Sequence, residues 1–132
     1  MGEIHSLPDA AVHTALPAAD LDRAKTFFRE KLGLTPTSET EGTALYQVRD
    51  GQLALFVTRG KPSGDHTQIG WTVADIEATV NELRDRGVQF DEYDDPGFKT
   101  VNGIVSFGAT RFAWFRDSEG NVMCIDQDTR QP

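Results

Sequence analysis

The chain has 132 residues, 38% of them hydrophobic and 26% charged, with a formal net charge of −8. That length fits one domain, or two small modules sharing a core, and it buries enough surface to fold without staples. The acidic balance disfavours nucleic acid, whose phosphates need clustered Lys and Arg. With no charged-then-apolar start and no apolar run near the ~18 residues of a membrane span, neither secretion nor a spanning helix is expected, and the single cysteine, Cys124, points to a reducing cytoplasm.

Val12 to Ala18 reads as a strand. Asp20 follows as a helix N-cap, and Leu21, Ala24, Phe27, Phe28 and Leu32 recur at three- and four-residue spacing before the stop at Gly33. A short strand near Pro36 to Glu39 comes next, then strands at Ala44 to Val48 and Gln52 to Thr58 joined by an Asp50-Gly51 turn. The pattern then starts again. Gln68 to Val73 is a strand, Asp75 a cap, Ile76, Val80 and Leu83 an apolar stripe, and Gly87 a stop. Strands follow at Val88 to Glu92, Phe112 to Arg116 and Asn121 to Asp126, the last two joined by Asp117-Ser118-Glu119-Gly120.

The segment Asp94 to Arg111 stands outside this pattern. It carries Pro96, Gly97, Gly103 and Gly108, with Phe98, Val101, Ile104, Val105 and Phe107 between them. A long loop in a compact domain is uncommon, and its large apolar residues would be poorly placed in water. It reads as a lid or a dimer contact.

The halves repeat. Ala19-Asp20-Leu21 lies over Ala74-Asp75-Ile76 at an offset of 55, which superposes His13 on Gln68. Laying Gly51 on Gly120, an offset of 69, superposes Leu55 on Cys124. A repeated βαβββ unit implies an α+β fold with pseudo-twofold symmetry, module 1 spanning about 11–60 and module 2 about 66–128.

Several stretches carry a family likeness. His13-Thr14-Ala15-Leu16-Pro17, Asp20-Leu21-Asp22-Arg23-Ala24, Phe27-Phe28, Lys31-Leu32-Gly33-Leu34 and the closing Phe115-Arg116-Asp117-Ser118-Glu119-Gly120-Asn121 follow in an order that resembles the vicinal oxygen chelate superfamily. That superfamily includes glyoxalase I, extradiol dioxygenases, methylmalonyl-CoA epimerase, and fosfomycin- and bleomycin-resistance proteins. The resemblance implies mixed sheets curling into a cup with helices outside, commonly as a homodimer. It also implies a divalent metal held by His or Gln from the first strands and Glu from the last strands. Carried over, the first-strand positions are His13 and Gln68, and the last-strand positions are Leu55 and Cys124. Leu55 has no lone pair, and an isolated cysteine among apolar neighbours is more often a small hydrophobe than a ligand. Replacement ligands are His66, two residues before Gln68, and Asp126, two after Cys124.

Within the implied cup, alternation places Ala15 and Pro17 with His13, and Gly70 and Thr72 with Gln68, with Leu53, Leu55 and Val57 beside them. Val12, Thr14, Leu16, Ile69, Trp71 and Val73 then pack under the helices. Alternation alone leaves Tyr46, Phe56, Trp114 and Phe115 free to take either face. Any that line the cup suit a planar ligand. Asp91, Glu92, Asp94 and Asp95 form a solvated edge or a cation-attracting rim.

The leading reading is a protein that binds a partly apolar or aromatic small molecule without metal, in a sequestration or resistance-like role. Its candidate site is His13, Leu55, Gln68, Thr72, Trp114, Cys124 and Asp126. One alternative is a metal-dependent lyase, isomerase or dioxygenase holding Zn, Ni, Mn or Fe through His13, Gln68 and Cys124. The other is a metal-free enzyme with His13 as catalytic acid/base. No nucleic-acid or membrane partner is expected.

Overall fold

The computed structural model describes residues 6–130. Within them the chain folds the same unit twice. In module 1, β1 (Thr14–Ala18) leads to α1 (Leu21–Leu32), then β2 (Ser38–Thr40), β3 (Thr43–Val48) and β4 (Gly51–Val57). In module 2, β5 (Ile69–Thr72) leads to α2 (Ile76–Asp85), a small hairpin of β6 (Asp94–Asp95) and β7 (Phe98–Lys99), then β8 (Val105–Phe107), β9 (Thr110–Arg116) and β10 (Val122–Asp128). The sheet orders are β1-β4-β3-β2 and β5-β10-β9-β8, so each module pairs its first strand in parallel with its last. Among the described residues, no helix is long and apolar enough to cross a membrane.

The helices begin where their caps direct. The carboxylates of Asp20 and Asp75 accept from the backbone N–H of Arg23 and Ala78, both at 3.0 Å, which satisfies one otherwise orphaned donor in each first turn. Gly33 ends α1 at φ 72, a left-handed position that costs glycine nothing. Ala24 and Phe28 of α1, and Ile76, Val80 and Leu83 of α2, are buried against the sheets. From the sheets, Leu16, Tyr46, Leu53, Leu55, Phe115, Met123 and Ile125 join them in one core. Both helices thus cover the outer faces, and the opposite faces of the two sheets form the cup.

The turn between β9 and β10 ties the second module to the first. Asn121, fully buried, donates from Nδ2 to Asp117 Oδ2 at 2.8 Å and to the carbonyl of Pro17 at 3.1 Å. One turn residue away, Glu119 accepts from Arg23 Nε at 2.7 Å and from the backbone N–H of Asp20 at 3.0 Å. The guanidinium holds the Glu119 carboxyl down to about 2, whereas burial raises that of Asp117.

Two sequence expectations change. Val88 to Glu92 forms no strand: Phe90 makes a single bridge to Phe115, and the edge beside β9 is taken by β8. The chain touches that edge at Phe90, leaves it, and returns at Val105, so Asp94 to Arg111 is not one long loop but a hairpin excursion followed by two strands. The turn between β3 and β4 also shifts by one residue. Its central residues are Arg49 and Asp50, with Arg49 at φ 53, and Gly51 already pairs with Val48.

Candidate functional site

Strand register decides which side chains see the cup, because residues paired across a sheet share a face. In β1, Leu16 and Ala18 are completely buried while Ala15 is exposed, so His13, Ala15 and Pro17 lie on the cup side. Ala15 pairs with Ala54 and Leu16 with Leu55. Leu55 therefore points at the helices, where it is 0% exposed, and so does Leu53. In module 2, Gly70 pairs with Cys124 and Thr72 with Asp126. Cys124 and Asp126 face the cup with Gln68, Gly70 and Thr72, while Met123 and Ile125 go to the core.

The position equivalent to Cys124 is hence Ala54, at an offset of 70, and Leu55 leaves the candidate ligand-binding set. The physical cause is loop length. Two residues separate β3 from β4, but five separate β9 from β10. Laying glycine on glycine across unequal turns slips the register by one, and a slip of one reverses every side chain. Leu53 and Val57 change faces with it.

Trp114 does face the cup. It pairs with Cys124, and Phe112 pairs with Asp126, while Ala113 between them and Phe115 after them are buried in the core. The rings of Phe112 and Trp114 lie parallel within 10° at 5.7 Å between centroids. The hairpin β6–β7 folds onto this wall. Phe98 stacks on Trp114 at 5.8 Å and 30°, and Tyr93 meets Trp114 edge-on at 6.3 Å. Trp114 Nε1 donates to Thr67 Oγ1 at 3.1 Å, which fixes the indole against the linker between the modules. The matching wall of module 1 carries Thr43, Leu45 and Gln47 instead. The aromatic cluster belongs to module 2, and Phe56 of β4 is the one ring on the cup face of module 1's strands.

A cavity of about 380 Å³ opens beside these rings, lined by Tyr93, Phe98, Trp114 and Val122 together with His66, Thr67 and polar rim residues. Rim carboxylates come from Asp65, Asp91 and Asp95. Arg116 answers them in part, donating to the Gly64 carbonyl at 3.0 Å with Asp91 3.7 Å away. Its size and mixed lining are those of a small-molecule pocket. The apolar residues of 94–111 mark that segment as a lid or a dimer contact, but neither they nor the composition of the linker says which face is covered.

The remaining predicted residues fall elsewhere. His13 lines a separate hollow of about 230 Å³ with Thr37, Leu45, Gln47 and Gln52, so it shares no wall with the aromatic pocket. Gln68 accepts from the backbone N–H of Val122 at 3.4 Å, and Thr72 donates to Asp126 Oδ1 at 2.7 Å. His66 is the exception: it lines the aromatic pocket, with Nδ1 3.2 Å from Ser63 Oγ.

The residues at the four implied metal positions are His13, Ala54, Gln68 and Cys124. Ala54 offers no lone pair. Cys124 is 5% exposed, and burial together with the nearby Asp126 pushes its thiol up to about 11, so it stays protonated at neutral pH. One imidazole and one amide fall short of the three protein ligands of an ordinary catalytic metal site. This donor set does not fit the divalent ion that the resemblance implies.

Comparison with known proteins agrees with this architecture. Residues 10–125 match the family model described as the glyoxalase/bleomycin resistance protein/dioxygenase superfamily. The chain belongs to that superfamily. A glyoxalase/bleomycin resistance protein/dioxygenase from Nocardioides superposes with a TM-score of 0.66 at 20% identity, covering 94% of this chain and 87% of that one. A protein of the same description from Alicyclobacillus acidocaldarius gives 0.66 at 19% identity, over 92% of each chain. FosX, a genomically encoded fosfomycin resistance protein from Listeria monocytogenes, gives 0.69 at 10% identity, over 89% of each. At such identities the likeness is one of fold. No functionally curated protein matches the sequence.

Proposed function

We propose that this protein binds a small, flat, partly apolar molecule against the aromatic wall of module 2 without a metal ion, as a sequestering or resistance-type protein. The single observation that carries the reading is the aromatic wall: Trp114, stacked on Phe112 along one face of β9, lines a 380 Å³ cavity together with Tyr93 and Phe98. Aromatic faces reward stacking, and a half-buried wall keeps part of that surface available to a ligand. Polar groups at the rim, Asp91, Asp95, His66 and Arg116, orient the bound molecule. Support for binding without metal comes from Ala54 and Cys124, which stand where the carboxylates of a metal centre belong. A homodimer in the cytoplasm is part of the proposal, by analogy with the superfamily.

The test is a thermal-shift screen of planar natural products and antibiotics on the purified protein, with hits titrated by calorimetry. Stabilisation by flat ring compounds, lost in Trp114→Ala, is the expected result. A screen in which only divalent metals stabilise the protein overturns the reading.

A further inference from the structure

The hairpin β6–β7 is an addition to the repeated unit. Module 1 passes from Leu32 at the end of α1 to Ser38 at the start of β2 within a few residues, whereas module 2 interrupts the same edge between Phe90 and Val105. The hairpin pairs only with itself, as a separate two-stranded sheet. Its base is clamped internally, because Thr100 exchanges backbone and side-chain hydrogen bonds with Tyr93 at 2.9 Å. Its tip, Pro96-Gly97, is exposed, with Gly97 at φ 78 and open space around it. The fold does not need this element, since module 1 closes the same sheet without it.

The hairpin brings two rings to Trp114, Tyr93 edge-on and, alone of the two, Phe98 stacked on the indole face. Phe98 stacks on Trp114 at 30° and also meets Phe107 at 5.4 Å. It is only half-buried, and it lines the cavity that Tyr93 and Trp114 line. The core aromatics of the same module behave differently. Phe90 and Phe115 are 7% and 0% exposed and pack on each other under the sheet. Phe98 is thus a ring placed on a cup wall by a hairpin whose other strand residues, Asp94, Asp95 and Lys99, are exposed.

Resting on the binding role proposed above, we infer that Phe98 holds the stacking place on Trp114 that the ligand's own ring takes. The ligand class is then a fused-ring planar molecule, whose larger face outcompetes a single phenyl ring in the exchange. A compact non-planar molecule gains nothing from displacing Phe98. The hairpin gives up the place as a unit, because Thr100 and Tyr93 keep it closed on itself.

The experiment uses the whole protein and proflavine, a flat three-ring dye, titrated at moderate salt into wild type, Phe98→Ala and a Trp114→Ala control. Trp71 and Trp114 are the only tryptophans, so a Trp71→Phe background makes indole fluorescence report on Trp114 alone. Calorimetry supplies the same constants if that background folds poorly. Removing the competing ring is expected to tighten dye binding about two- to tenfold, the size of one aromatic stacking contact. It is also expected to make Trp114 more accessible to acrylamide in the absence of dye. Equal or weaker dye binding by Phe98→Ala, with wild type binding normally, overturns this inference alone. No Trp114-dependent binding to either protein overturns the binding role and this inference together.

Discussion

Ala54 and Cys124 occupy one position in two copies of the same unit, each paired with the second residue of its module's first strand, Ala15 in one case and Gly70 in the other. Neither supplies an anionic ligand at neutral pH. Chelation is therefore expected to leave the protein unchanged: dialysis against EDTA should not move Tm, and zinc, nickel or manganese at stoichiometric levels should not raise it. A rise of several degrees on adding any of them contradicts the donor-set argument.

Neighbouring residues of β9 separate folding from binding. Phe115 is fully buried, so Phe115→Ala should cost about 3–5 kcal/mol, read from urea unfolding. Trp114, on the opposite face and only partly buried, should cost less when truncated, about 2 kcal/mol for its three lost aromatic contacts. Its effect belongs to the ligand, where a loss of about tenfold or more in affinity is expected.

Leu55 tests the register. As a core residue at 0% exposure, Leu55→Ala should destabilise by about 2–5 kcal/mol and leave ligand affinity intact in the folded protein. A selective loss of binding with little loss of stability would return Leu55 to the cup.

The Arg23–Glu119 contact sets an acid limb of stability. The folded carboxyl of Glu119 lies at about 2, below its ordinary value of 4.5, so its contribution is complete above that ordinary value and fades as pH falls toward 2. Wild type should exceed Glu119→Gln in Tm by a constant margin at neutral pH. The two curves should converge as pH drops through this window. A margin that persists at pH 2 assigns the effect to packing.

Cys124, buried and held as a thiol, should resist iodoacetamide at pH 7.5 in the native protein and react once urea unfolds the chain. Rapid labelling of the folded protein, followed by mass spectrometry, contradicts its placement.

Much of the fold was legible because its signals are local. Asp20, Asp75 and Gly33 act within one helical turn, and the apolar stripes they bracket fix both helices. The modules followed from repetition of those signals. Register was less legible, since it depends on the number of residues in each hairpin turn, and Arg49-Asp50 and Asp117 to Asn121 differ in length. Two of the four residues that alternation could not place, Tyr46 and Phe115, went to the core, whereas Phe56 and Trp114 took the cup face. The pairing of Phe98 with Trp114 was beyond reach. It joins a hairpin to a strand through packing on a face that no local pattern marks.

The most direct test is a pair of calorimetric titrations of one planar ligand, in EDTA and in excess divalent metal, on wild type and Trp114→Ala. Wild type is expected to show the same Kd in both conditions, and the variant a binding loss of about tenfold or more. Binding that requires the metal, or that survives removal of Trp114, contradicts the proposed binding role.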